Sequence, residues 1–260
     1  MLVLNIIYAI YNLKKRMDVW NIIAVLCILA FSLVVLFRLG TIPTIFIDEG
    51  NGMYDSWSLA KYGVDSNLIS NPIYLQSFAG QGQSILYARL ASTFLKILGY
   101  SIYAYRLPLV LVAITSVILL FNVLNAFDVK SKGIFLTTMI FCTSPWLIMV
   151  SRFGMDCNVA PFMVLIGTLL LLLSTRLRVG GIRLIIGLLG TFILGLTAYS
   201  YNVGWMYLLI FIPSVFLLLY LSKNISIKEL LLYIPILFIE LVPIMIFAIR
   251  SNISGLNKTT

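Results

Sequence analysis

Apolar residues along this chain come in long uninterrupted runs. The first covers residues 19–39, and six more lie near 106–127, 133–150, 158–174, 184–200, 206–222 and 230–249. A helix needs about 17–25 consecutive apolar residues to cross the hydrocarbon of a bilayer, and each run approaches that length. The pattern predicts about seven transmembrane helices. The apolar stretch at 2–11 is too short to span and reads as a helix on the membrane surface. Residues 41–104 form a long connection of mixed polarity between the first two spans. Connections of that length are usually functional. Two stretches within it show apolar residues at helical spacing. Residues 51–62 carry Met53, Trp57 and Ala60 and end at Gly63; residues 83–98 carry Ile85, Leu86, Ala88, Leu90, Phe94, Leu95 and Leu98 and end at Gly99. Such a stripe with a terminal glycine predicts an amphipathic helix, here lying along the outer membrane surface. No internal repeat is present. The fold class expected is an all-α polytopic membrane protein, with residues 1–260 forming a single membrane domain.

Composition removes the soluble alternatives. Of 260 residues, 61% are apolar and 10% charged, against about 45–50% and about 25% in soluble domains. A globule of this size cannot hide so much apolar surface. The net charge of +9 does not point to nucleic acid, because no soluble segment is dense in Lys and Arg. The basic residues instead set an orientation. Lys14, Lys15 and Arg16 precede the first span. Lys130 and Lys132, then Arg176, Arg178 and Arg183, then Lys223 and Lys228 occupy alternate connections. The positive-inside rule makes that side cytoplasmic. The N-terminus is then cytoplasmic, and the long 41–104 loop lies outside the cell membrane. The first run is too long for a signal-peptide core of about 7–15 residues, so it reads as an uncleaved span. Cys27, Cys142 and Cys157 show no metal-binding spacing and read as small buried hydrophobes.

The absence of histidine removes imidazole bases and His-ligated metals, so each of the nine Asp and Glu residues can be weighed. Asp18, Asp128 and Glu229 flank cytoplasmic ends beside basic residues. Asp48 and Glu49 follow the first span, Asp55 and Asp65 lie further along the loop, and Asp156 sits in a tight turn with Arg152. Spacing leaves two readings open. Asp48-Glu49 can be a helix start with a first-turn acid, and Arg152 with Asp156 a surface pair one helical turn apart. Alternatively, these groups form a carboxylate site facing an arginine at the membrane boundary. Such a site could deprotonate a hydroxyl, bind a divalent cation or hold a phosphate. Asp55, seven positions after Asp48, falls on the same helix face and either shapes a cleft or faces solvent. Gln76, Gln81 and Gln83, with Gly80 and Gly82, either hydrogen-bond a polar ligand or supply loop polarity. Arg106 reads as an interfacial anchor. Glu240 is the one acid well inside a span, which marks it for function; a neighbouring Tyr or Asn is its expected partner.

The stretch Ile47-Asp48-Glu49-Gly50-Asn51-Gly52-Met53-Tyr54-Asp55-Ser56-Trp57-Ser58-Leu59-Ala60-Lys61-Tyr62-Gly63 resembles the first outer loop of GT-C-fold membrane glycosyltransferases, in the branch of protein O-mannosyltransferases and lipid A aminoarabinose transferases. Leu86-Tyr87 with Phe94-Leu95-Lys96-Ile97-Leu98-Gly99 resembles that family's second surface helix. Tyr105-Arg106-Leu107-Pro108, Pro145-Trp146 with Ser151-Arg152-Phe153-Gly154-Met155-Asp156-Cys157-Asn158, and Ala198-Tyr199-Ser200-Tyr201 follow in matching order. The resemblance runs from about residue 18 and implies the chemistry. A sugar leaves a polyprenyl-phosphate carrier for a lipid, glycan or protein acceptor at the outer face, usually with inversion. It makes Asp48 the base on the acceptor and has Glu49 orient the base or acceptor. Arg152 would neutralise the departing phosphate, and Asp156 hold Arg152 or assist at the sugar; with such a substrate, Asp55 would shape the acceptor cleft and Gln83, with Gln76 and Gln81, bond sugar hydroxyls, beside the plain readings given above. Some members of the wider fold use a divalent metal, for which Asp48, Glu49 and Asp156 could supply oxygen ligands; for want of further ligands no cofactor is expected. Full-length members continue into further membrane helices, so the resemblance implies that this chain corresponds to their conserved N-terminal half. Two rival readings are a transporter or flippase and a non-catalytic glycolipid-binding subunit. The clustering of chemical groups at one membrane face argues against the first.

Overall fold

A computed structural model describes residues 1–15, 18–76, 82–178, 180–202 and 204–253. Among them are eleven α-helices and one short hairpin. The helices are α1 (Leu2–Lys15), α2 (Val19–Leu36), α3 (Ile47–Tyr62), α4 (Ile85–Leu98), α5 (Ile102–Ala126), α6 (Ser131–Thr143), α7 (Pro145–Arg152), α8 (Asp156–Arg176), α9 (Gly181–Leu196), α10 (Gly204–Leu221) and α11 (Ile227–Ile253). Strands β1 (Tyr74–Gln76) and β2 (Gly82–Ser84) pair antiparallel between α3 and α4, with Leu75 opposite Gln83. The chain is an all-α, multi-pass membrane protein. Six helices among the described residues are long and apolar enough to span, and α6 with α7, bent by 54° at their junction, meets the same test when the two are taken as one span. The bend falls at Ser144-Pro145. Proline disfavours helical geometry in the residue before it but suits the first position of a new helix, and the Ser144 hydroxyl accepts a hydrogen bond from Leu147 N to cap that start.

The spans alternate in direction. The starts of α5, α8 and α10 and the ends of α2, α7, α9 and α11 gather on one side, the site face. The opposite, basic face carries Lys130, Lys132, Arg176, Arg178 and Arg183. Arg16 lies outside the described residues. Helix α5 is the axis: 78% of its apolar window is buried, against 17% for α11. Close approach elsewhere relies on missing side chains. A Cβ on Gly167 of α8 would sit 2.9 Å from the Gly190 carbonyl of α9, and one on Gly190 2.9 Å from the Gly167 carbonyl, the small-residue packing usual between membrane helices. Gly187 receives the Tyr233 ring and Gly195 the Glu240 carboxyl, docking α11 on α9.

Helix α1 does more than lie on a surface. Asn12 Nδ2 donates to Asn122 Oδ1 at 3.3 Å, and Asn122 Nδ2 donates to the Asn5 carbonyl at 3.0 Å, fixing α1 to the basic end of α5. Its other side exposes Val3, Leu4, Ile7 and Ile10. Of its expected apolar stripe, helix α4 buries Ile85, Ala88 and Leu95, half-buries Leu86, Leu90 and Phe94, and leaves Leu98 at its end exposed. Helix α3 begins four residues earlier than its apolar pattern suggests. Alongside Met53 and Leu59, its inward side holds Glu49, Asp55, Ser56 and Ser58, so it is bound to the protein largely through polar groups.

Candidate functional site

The site face is organised by one ion pair. Arg106 and Glu49 are both 0% exposed and meet with two parallel hydrogen bonds, Nε to Oε1 and Nη2 to Oε2, each 2.6 Å. A guanidinium matches a carboxylate in this geometry. The remaining donors of Arg106 reach the carbonyls of Leu39 at 3.0 Å and Pro43 at 2.8 Å. Gly154 N donates to Glu49 Oε1 at 2.8 Å. One pair thus joins α3, α5, the exit of α2 and the turn before α8. Arg106 is therefore an internal strut, not the interfacial anchor its position at a helix start suggested. Two tyrosines brace the same turn. Tyr105 Oη donates to the Gly154 carbonyl at 2.7 Å, and Tyr87 Oη donates to the Tyr105 carbonyl at 2.6 Å. Burial foremost, and then the Glu49 charge, holds the Tyr87 hydroxyl well above its usual range, so it remains a donor. A Cβ at position 154 would lie 2.5 Å from Tyr105 Cε1, so the turn needs glycine.

Arg152 performs a parallel task. Its Nη1 donates to the Val34 carbonyl, and its Nη2 donates to the carbonyls of Phe37 at 2.7 Å and Ile42 at 2.6 Å. A helix leaves its last four carbonyls without partners. Arg152 covers two at or beside the end of α2. Asp156 does not hold Arg152, contrary to the pairing expected from their spacing. The chain turns sharply between them, and Asp156 Oδ2 accepts from Ser84 N at 2.7 Å while Oδ1 accepts from Cys157 N at 2.8 Å. Asp156 thereby fastens β2 to the start of α8.

The other predicted residues divide by burial. Asp55 is 4% exposed and accepts from Ser66 N at 2.9 Å, so it faces inward and anchors the loop after α3. Asp65 accepts from Asn67 N and Ile69 N in the same loop. Gln83 Nε2 donates to the Asp48 carbonyl at 2.8 Å. Gly80 and Gln81 lie outside the described residues. Asp48 is exposed, the one such acid among the five on this face; Glu49, Asp55, Asp65 and Asp156 are all buried. Asp48 is near enough to Asp156 for its charge to act there. Tyr74, over Gly82, also feels Asp156. Burial first and that charge second raise its hydroxyl above the ordinary range. Asp48, Glu49 and Asp156 do not converge on an ion. Both Glu49 oxygens are held by Arg106, both Asp156 oxygens accept backbone amides, and no metal-sized group of three ligands occurs among the described residues.

Beside this cluster, the far side of α4 borders a cavity of about 240 Å³. It is lined by Ile85, Leu86, Arg89, Phe192, Leu196, Tyr199, Glu240 and Pro243. Tyr199 Oη donates to the backbone carbonyl of Glu240 at 2.5 Å. The Glu240 carboxyl oxygens themselves are buried and have no hydrogen-bond partner among the described residues. Tyr87, Tyr105 and Gly154 stand within the stretches that carry the resemblance but have no role assigned from the sequence, and Arg106 belongs to the interior and not to the interface. Its signal was present: an arginine one turn inside a membrane span requires a partner. No protein-family model matches the chain, and no curated protein or solved structure is found similar to it.

Proposed function

We propose that the chain is the membrane module of a glycosyltransferase. It moves a sugar from a polyprenyl-phosphate carrier to a hydroxyl-bearing lipid, glycan or protein acceptor at the extracytoplasmic face of the cell membrane. Asp48 is the general base. The observation that carries this reading is the contrast among the five acids of the site face: four are buried and bonded to the scaffold, while Asp48 is exposed beside Asp156 on a turn fixed from two sides. In the proposed step Asp48 takes the acceptor's O–H proton. The acceptor oxygen bonds to the anomeric carbon, the bond from that carbon to the carrier phosphate breaks, and the phosphate leaves with the electron pair. Attack opposite the leaving group inverts the anomeric centre.

Arg152 is a positioning residue here, because its terminal nitrogens already serve three carbonyls. Arg89, one turn into α4 and exposed apart from a 3.1 Å bond to Asn71 Oδ1, is the freer guanidinium for a phosphate. The apolar cavity it borders suits a segment of prenyl chain. The engagement of Arg152 also favours one rival, a subunit that binds glycolipid without transferring it. Both are tested by transfer from a radiolabelled polyprenyl-phosphate sugar in reconstituted membranes. A positioned base contributes about 10²–10⁴ in rate, so Asp48→Asn should lower transfer by that factor with the melting midpoint unchanged. Equal transfer by variant and parent removes Asp48 from the mechanism. Saturable carrier binding with no transfer by the parent establishes the subunit reading instead.

A further inference from the structure

The basic face holds a second cavity, far from Asp48. It encloses about 160 Å³ between α1, the end of α5 and the end of α8, and its wall includes Tyr8, Tyr11, Asn12, Asn125, Asp128 and Arg176. Unlike the apolar cavity beside α4, this one is polar. Drug-sized ligands occupy roughly 300–1,000 Å³, so it suits a small polar group. Three features describe that group. Arg176 ends α8 with its guanidinium 4.0 Å from the Phe127 ring centroid and exposed, leaving donors for a phosphate. Asn125 is 6% exposed; its Nδ2 donates to the Phe121 carbonyl at 2.9 Å, but its Oδ1 is buried without a partner among the described residues. An orphaned buried acceptor is costly and calls for a donor. Tyr8 and Tyr11 stack at 6.2 Å on the α1 side. Their rings and the negative charge of Asp128, itself engaged by another group, favour a cation there. A single ligand meeting all three carries a phosphate and, a few atoms away, a cationic N–H donor.

The site's depth identifies the source. It lies where α5 and α8 end, beneath a helix whose free side exposes Val3, Leu4, Ile7 and Ile10, an apolar face of the kind that rests at the head-group level of a bilayer. We propose that this cleft binds the phosphoethanolamine head of a membrane glycerophospholipid. The phosphodiester lies on Arg176, and the ammonium donates to Asn125 Oδ1 against the tyrosine rings. Choline lacks the N–H donor, and glycerol lacks the positive charge.

The test uses the full chain in detergent micelles, with binding read by native mass spectrometry and by thermal shift. Dihexanoyl phosphatidylethanolamine should bind at least about tenfold more tightly than the phosphatidylcholine or phosphatidylglycerol of equal chain length, the ratio expected from one charge-assisted hydrogen bond. Arg176→Gln should remove about that factor. Arg178→Gln, which deletes the same charge two residues away but outside the cleft, should leave binding unchanged. Asn125→Ala should abolish the preference over choline; should it fail to fold, the exposed Arg176 variant and its control decide the matter alone. Equal binding of the three lipids, or an equal loss in Arg178→Gln, overturns the proposal. Inorganic phosphate or free phosphoethanolamine displacing the lipid at equal concentration also overturns it, by assigning the cleft to a soluble ligand.

Discussion

Arg106→Met is the most informative change to the scaffold. It removes a guanidinium that is fully buried and makes four hydrogen bonds, two to Glu49 and one each to the carbonyls of Leu39 and Pro43. Breaking a buried ion pair by deleting one partner costs about 3–5 kcal/mol, because the other charge stays buried and uncompensated. The stranded carbonyls place Arg106→Met at the upper end of that range. Replacing both partners is different. In Glu49→Leu/Arg106→Met no charge is left behind, and buried pairs exchanged for apolar groups of similar size are often neutral. Here Gly154 N, Leu39 O and Pro43 O still lose their partners, at about 1 kcal/mol each. The double variant should therefore cost about 2–4 kcal/mol, well below the sum of the two single changes. Titration of micelle-embedded protein with sodium dodecyl sulfate, followed by tryptophan fluorescence, measures all four corners of the cycle. Single costs that add to within about 0.5 kcal/mol would refute the pair as a coupled buried unit. The cycle also separates scaffold from chemistry: transfer by Glu49→Gln should fall in step with the folded fraction, whereas a catalytic Glu49 would lose rate with stability intact.

Arg152→Gln should cost about 1.5–3 kcal/mol in the same titration, the range for hydrogen bonds to a charged donor, and should raise amide hydrogen exchange at the end of α2 above that of other helix ends. Gly154→Ala forces a Cβ to within 2.5 Å of Tyr105 Cε1 and 2.8 Å of Tyr87 Oη and should cost about 1–3 kcal/mol, the usual range for overpacking. Gly195→Ala drives a methyl into the Glu240 carboxyl, so it should destabilise alone and be largely rescued by Glu240→Ala. In a chain freed of its three cysteines, Tyr62→Cys should react with an impermeant maleimide on intact cells and Lys130→Cys only after permeabilisation. Labelling of both from outside would reverse the orientation inferred from the basic residues.

The helical membrane fold was legible because its signal is additive: each span announces itself by about twenty apolar residues, and errors at single positions do not matter. The bend in the third span was foreshadowed by Pro145. The site was less legible because its geometry depends on pairs distant in sequence. Glu49 and Arg106 are 57 positions apart, and Arg152 reaches carbonyls more than a hundred residues earlier, which local spacing cannot reveal. Spacing favoured an Arg152–Asp156 pair because four residues make one helical turn; the break between α7 and α8 at Phe153-Gly154-Met155 cancels that premise. Asp55 stayed open between cleft and solvent for a related reason. A carboxylate on a loop helix has no fixed direction in the sequence until the backbone amide of Ser66, supplied by the returning chain, turns it inward.

The Asp48-Glu49 pair follows from helix geometry once Arg106 is in place. Successive side chains on a helix diverge by about 100°, so when Glu49 is drawn into the protein by a buried guanidinium, Asp48 is carried toward the surface. Its position is then held twice: by the Glu49 clamp one residue on, and by Gln83 on its own carbonyl. A general base must be accessible to an acceptor and yet fixed closely relative to the reacting atoms. An exposed acid on a freely moving loop meets only the first condition, and a buried acid only the second. The first turn of α3 meets both because the charge that fixes it belongs to the neighbouring residue. Shortening this link should therefore be more harmful to transfer than neutralising its charge. Glu49→Asp keeps the charge but draws the carboxylate back by one methylene, so satisfying Arg106 requires the first turn of α3 to shift. Transfer by Glu49→Asp should fall at least about tenfold, because misplacement of a catalytic group by about 1 Å can cost 10² in rate, while much of the stability lost in Glu49→Gln is retained. Full activity in Glu49→Asp would show that the position of Asp48 is not governed by the clamp.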